Sequence, residues 1–172
     1  MTSLQIAPSA NATRREFLAH LRNTVTALAA GAIALPLIRR PLGAQVAPGS
    51  ATPMTVYKDP GCGCCQEWVK IMTKAGFAVT ARDTVDMNTV KSSMGVPDNL
   101  QSCHTALVGN YVFEGHVPPD VVLKFLAEKL PAHGLAVPGM PAGSPGMEGP
   151  TKDKYNVILF ERSGKTRVYA SR

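Results

Sequence analysis

Three of the four cysteines, Cys62, Cys64 and Cys65, fall within four residues, in the stretch Tyr57-Lys58-Asp59-Pro60-Gly61-Cys62-Gly63-Cys64-Cys65-Gln66-Glu67-Trp68. Thiolates are nucleophiles, redox centres and ligands for soft metal ions, so this crowding defines the chemistry on offer. Cys62 and Cys65 form a C-x-x-C, the spacing that thioredoxin-like redox proteins use. The fourth cysteine lies in Ser102-Cys103-His104-Thr105, directly beside an imidazole. A single tetrahedral zinc is usually held by cysteine pairs two to four residues apart, and the first three sulfurs are more crowded than that. Neighbouring residues on a helix point about 100° apart, so Cys64 and Cys65 are not expected to converge on one ion. Thiolates bridging more than one ion fit the spacing better, which favours Cu(I) over zinc. Two other readings use the same sulfurs. A thiol-disulfide oxidoreductase would attack through Cys62 and resolve with Cys65, and a disulfide-stapled binding module would need the bonds alone. The interposed Cys64 and the added Cys103 and His104 favour metal, because extra thiols trap an exchanging disulfide in side reactions. Adjacent cysteines are also a poor way to staple distant segments.

The elements around these residues must bring them together. Met54 to Lys58 reads as a strand, and Cys65, Trp68, Val69 and Met72 recur at helical spacing, so a helix spans about Cys64 to Ala75 and stops at Gly76. The cysteines therefore sit on a strand-to-helix turn, where the unpaired N–H groups of a helix start lower a thiol pKa. Phe77 to Arg82 alternates as a second strand. Asp86 or Asn88 caps a short helix with Val90 and Met94, ended by Gly95-Val96-Pro97. Thr105 to His116 is a hairpin about Gly109-Asn110, whose two residues can supply the positive φ angles of a tight turn. That turn sets Val108 against Tyr111 and, continuing outward, Cys103 against His116. His104 and His116 are therefore ligand candidates, whereas His133 is expected to be solvated. Trp68 is expected in the core beneath the site. Pro118-Pro119-Asp120 opens a third helix with Val122, Phe125, Leu126 and Lys129 on one face.

Residues 131–150 are a loop rich in proline, glycine and methionine; ten of the twenty are proline or glycine, which excludes regular structure on composition. Met140 and Met147 there are soft ligands or a lid over the cluster, or simply apolar loop residues. Tyr155 to Phe160 and Thr166 to Ala170 flank Ser163-Gly164 as a C-terminal hairpin, within residues 151–172, packed on the same domain. The order strand, helix, strand, helix, hairpin, helix over 54–130, with C-x-x-C at the first helix, is the thioredoxin-like arrangement. The fold class expected is α/β, a central mixed sheet flanked by helices. In that fold the loop opening the hairpin normally carries a proline, and here Cys103-His104-Thr105 takes the place.

The formal charge of +6 invites a nucleic-acid reading until it is divided along the chain. Residues 1–44 hold Arg14, Arg15, Arg22, Arg39 and Arg40 against Glu16, so +4 belongs there and +2 to the remainder, and nucleic acid is discounted. Thr13-Arg14-Arg15-Glu16-Phe17-Leu18 precedes the uncharged run Asn23 to Ile38 and a small-residue end near Leu42-Gly43-Ala44. This is an export signal of the twin-arginine type over 1–44, followed by a linker over 45–53. The run is short against the roughly 20 residues that span a bilayer, so no stable anchor is expected after cleavage, and the mature chain is expected in the periplasm.

Four blocks in order, Tyr57-Lys-Asp-Pro-Gly-Cys-Gly-Cys-Cys, Ser102-Cys-His-Thr-Ala, Glu114-Gly-His-Val-Pro and Gly134-Leu-Ala-Val-Pro-Gly-Met-Pro-Ala-Gly-Ser-Pro-Gly-Met, resemble the CopG-like metal-binding proteins, small exported proteins associated with bacterial copper resistance. The resemblance covers nearly all of the chain after the linker. It implies a thioredoxin-like fold and copper held as Cu(I), more than one ion, in a cysteine-bridged site on Cys62, Cys64, Cys65 and Cys103 with His104 or His116. Other periplasmic copper-handling proteins are the partners it suggests. Storage, transfer and oxidation-state chemistry would all use such a site. Replacing both Arg14 and Arg15 by lysine is expected to strand a folded precursor in the cytoplasm; cell fractionation checks this, and normal periplasmic accumulation would reject the twin-arginine route.

Overall fold

The structure, a computed structural model, describes residues 51–172, so the export signal and most of the linker expected before it lie outside the described residues. Apolar alternation and turn residues produce β1 (Thr52–Lys58), α1 (Gly63–Lys74), β2 (Phe77–Asp83), α2 (Met87–Ser93), a 3-10 turn (Asp98–Leu100), β3 (His104–Val108), β4 (Tyr111–Glu114), α3 (Pro119–Glu128), β5 (Gly134–Ala136), β6 (Asn156–Phe160) and β7 (Thr166–Ser171). All seven strands form one sheet in the order β2-β1-β3-β4-β5-β6-β7. β1 runs parallel to β2, and β4 to β5, while the remaining neighbours are antiparallel. The protein is thus a mixed α/β fold with the expected element order through α3. Among the described residues no helix is long and apolar enough to cross a membrane.

The helices are fixed by their ends as much as by their faces. Cys62 is the N-cap of α1, its sulfur accepting from the Cys65 N–H at 3.3 Å, and Gly76 at φ +97° lies just past the C-cap Ala75. Cys65, Trp68 and Met72 form the buried stripe of α1. Asp86 caps α2 by accepting from the Thr89 N–H at 3.1 Å. Pro119 opens α3, where a missing N–H loses nothing, and Val121, Val122 and Phe125 face inward. Lys129, expected on that inner face, is instead the exposed C-cap at φ +49°, because the chain must reverse there toward β5. Trp68 and Met72 of α1 and Phe125 of α3 pack with Val56, Phe113 and Leu159 in the main core, and Val96 and Leu100 pack with Val112, Ala136 and Phe160 in a second cluster.

Three further local expectations change. Only Gly109 of the β3–β4 turn has positive φ, at +57°, and Asn110 does not, which matches a II′ rather than a I′ turn. The register is unaffected: Val108 pairs with Tyr111 and Thr105 with Glu114. The segment 131–150 is not wholly irregular, since Gly134–Ala136 is a buried strand that joins the β6–β7 hairpin to the rest of the sheet. His133, expected in solvent, is buried with Nε2 at 2.7 Å from the Met94 carbonyl and its ring edge-on to Phe160. Gly134 explains how β5 enters: a Cβ there would lie 1.9 Å from the Val112 carbonyl oxygen. Gly134→Ala should therefore force β5 off β4 and destabilise the fold by about 3 kcal/mol or more, a drop of roughly 10 °C in the thermal midpoint. An unchanged midpoint by circular dichroism would contradict this close approach.

Candidate metal centre

The site forms where the start of α1 meets the open end of the β3–β4 hairpin. Continuing the Thr105–Glu114 register by two residues places Cys103 opposite His116, and Cys103 Sγ lies 2.9 Å from His116 Nε2. The same sulfur is 3.3 Å from His104 Nδ1. On the helix side Cys62 and Cys64 bring their sulfurs to 3.4 Å, and Cys65, fully buried, points its sulfur toward the Cys103 carbonyl at 3.8 Å. The four Sγ atoms all lie within 4.8 Å of one another, as do Cys103 Sγ and the two imidazole nitrogens. Cys62 is itself the N-cap of α1, so all three sulfurs of this stretch stand at the helix start. Two sulfurs sharing one tetrahedral ion at about 2.3 Å would stand about 3.8 Å apart. The spacing thus suits shared or bridged soft ions.

Cys62 and Cys65 are joined in a disulfide, while Cys64 and Cys103 are free. This is one bond more than a four-thiolate site allows, so that site belongs to the reduced protein. The bond is also the one the oxidoreductase reading requires. Cys103 lies in the loop before β3 and not on the helix start. Burial, followed by the neighbouring Cys64, pushes its pKa up to about 12.

The two histidines are held differently. His116 Nδ1 sits 2.7 Å from the Pro145 carbonyl, which can only accept, so Nδ1 carries the proton and Nε2 turns its lone pair to Cys103. Burial lowers its pKa, against the Pro145 carbonyl and Glu148, which raise it. His104 is fully buried, with its ring 4.4 Å from Trp68 and 5.0 Å from His116. Burial first, then His116 and Lys91, hold it well below its ordinary pKa, so it is neutral and can donate a lone pair. Its Nε2 is buried with no hydrogen-bond partner among the described residues. Trp68 is core beneath the site, as expected, with its indole N–H on the Val117 carbonyl at 3.0 Å.

Residues after β5 strap the cluster. Ser102 Oγ donates to the Gly139 carbonyl, Pro145 accepts from His116, and Gly146 passes so close to α1 that a Cβ would lie 2.7 Å from the Cys64 carbonyl oxygen. Gly115, between Glu114 and His116 at φ +69°, likewise has no room for a Cβ, which would meet Ser102 Oγ at 2.5 Å. Pro145, Gly146 and Gly115 are missed from composition alone, although Gly115 is visible as the spacer between two polar residues of an apolar hairpin. Met140 is 54% exposed and Met147 half-buried. Four sulfurs and two neutral imidazoles, one of them with an unpartnered buried nitrogen, make a donor set that fits a soft metal ion.

A family model described as "Protein of unknown function, DUF411" matches residues 100–147, which include Cys103, His104, His116 and the strap. Two solved structures resemble the whole described domain. "Copper resistance protein copG- Form 1" is 45% identical, with a TM-score of 0.67, over 71% of this chain and 98% of its own. "Copper resistance protein copG- Form 2" is also 45% identical, with a TM-score of 0.67, over 70% of this chain and 97% of its own. No curated protein matches the chain. The raised pKa of Cys103 gives a direct test of its surroundings. With the disulfide intact and no metal present, its alkylation rate should keep rising about tenfold per pH unit past pH 9, where an ordinary thiol levels off. A plateau near pH 9 would show that Cys103 is not desolvated as described.

Proposed function

The chain belongs to the CopG-like family of copper resistance proteins, and from that membership we propose that its copper-handling role is to bind Cu(I), more than one ion, through Cys62, Cys64, Cys65 and Cys103 with help from His104 and His116. The observation that carries this reading is the convergence of all four sulfurs within 4.8 Å, with both imidazoles on Cys103. Thiolates and imidazoles suit copper and zinc alike, and among these the crowding of the sulfurs favours Cu(I), an ion of low coordination number that shares its ligands. Zinc, which wants four separated ligands, suits the site less well.

The residues divide the work. Two electrons and two protons from a thiol reductant open the Cys62–Cys65 bond and complete the set of four thiols. Cys103, protonated at neutral pH, must give up its proton on binding. His116, its tautomer fixed by Pro145, needs to lose none. Residues 1–44 act as a twin-arginine-type export signal, 45–53 as a linker, 54–130 as the metal-binding domain, 131–150 as the segment over the site and 151–172 as the C-terminal hairpin. The mature protein works in the periplasm, where copper is the partner and other copper-handling proteins exchange it.

A second reading has its own support, since the C-x-x-C disulfide is the bond a thioredoxin-type oxidoreductase cycles through. Copper stoichiometry separates the two. The reduced protein should bind more than one Cu(I) per chain; Cys64→Ser and Cys103→Ser should each lose a disproportionate share, and His116→Asn less, because a terminal nitrogen can be replaced by water. A protein that binds at most one ion, and whose Cys103→Ser variant keeps full disulfide-exchange activity, would be the oxidoreductase instead.

A further inference from the structure

Ser102 and Cys103 lie just beyond the β3–β4 ladder, whose last pair is Thr105 with Glu114, with one further backbone bond from the Gly115 N–H to the His104 carbonyl at 2.9 Å. The Ser102 amide finds its partner in a side chain: Glu114 Oε1 accepts from it at 2.7 Å. The same carboxylate accepts from Lys91 Nζ at 2.6 Å and, through Oε2, from the Thr105 hydroxyl at 2.6 Å; Lys91 also reaches Thr105 Oγ1 at 3.1 Å. Glu114 and Thr105 are fully buried and Lys91 is 3% exposed. None of these groups is among the sulfur and imidazole donors.

A buried ion pair is a poor way to stabilise a core. Replacing one by apolar residues of similar volume is often neutral or stabilising, whereas removing one partner alone is strongly destabilising. Its position gives it another use. Glu114 ends β4 two residues before His116, and its carboxylate holds the residue immediately before Cys103, so one rigid group ties together the two segments that carry the site beyond the hairpin. Lys91 brings α2 onto that group and fixes the rotamer of Glu114.

We propose that Lys91 and Glu114 are positioning residues for the metal site: the pair clamps the Ser102 amide so that Cys103 Sγ is held against His116 and the α1 sulfurs. The proposal rests on the copper reading for its functional weight, but the clamp itself can be read without metal. Outer partners of this kind typically change metal affinity by about 10- to 100-fold when removed.

The test compares two double variants, so that no lone charge is buried. Lys91→Met with Glu114→Leu removes the clamp, whereas Lys91→Met with Glu114→Gln removes the charges but keeps an acceptor for the Ser102 N–H and a donor for Thr105. Thermal midpoints show that both fold. In metal-free protein, Cys103 alkylation at pH 8 should be about tenfold faster in the leucine variant and close to wild type in the glutamine variant, in step with the expected change in Cu(I) affinity. Wild-type alkylation and affinity in a folded leucine variant, or equal losses in both variants, would overturn the clamp. Should the wild type bind no Cu(I), the copper reading falls, and the alkylation comparison still decides whether the pair positions Cys103.

Discussion

The register of the β3–β4 hairpin is the constraint on which the site depends. Side chains in a strand alternate between faces, so a slip of one residue would turn every one of them over. With Val108 set against Tyr111 by the turn at Gly109, Cys103 meets His116, Thr105 meets Glu114, and Ala106 and Phe113 reach the core beneath Trp68. One short turn thus fixes both the sulfur–imidazole pair and the polar clamp behind it. The start of α1 then has one task, to present Cys62, Cys64 and Cys65 to a pair already in place.

The chemistry of the sulfurs and imidazoles and the physics of their surroundings pull in opposite directions. Burial raises the Cys103 thiol and lowers both imidazoles, which keeps all three neutral in the metal-free protein. Neutral groups can be buried without the penalty that three charges would carry. A soft cation reverses the balance, because it replaces the thiol proton and shares the negative charge of the sulfur. The Cys62–Cys65 bond is a further neutral form of the same sulfurs, and it leaves Cys64 and Cys103 as free thiols.

Much of this was open to reading from local pattern. The C-x-x-C at a strand-to-helix turn, the Asp86 cap, the Gly76 stop and the hairpin register all depend on residues close in sequence, and they are found as expected. What escaped depends on distant partners. β5 is a three-residue strand hidden among prolines and glycines, and it exists because Gly134 lets the backbone pass against Val112. His133 is buried because the Met94 carbonyl, 39 residues earlier, receives it. The Lys91–Glu114 pair joins a surface-looking helix to an apolar strand, and the only local hint is a carboxylate after Tyr111-Val112-Phe113.

X-ray absorption at the copper edge of the reduced, Cu(I)-loaded protein tests the central claim most directly. A bridged thiolate site predicts a first shell dominated by sulfur with a minor nitrogen contribution, together with a copper–copper scattering shell. A first shell of nitrogen and oxygen, or a sulfur shell with no neighbouring copper, would contradict it.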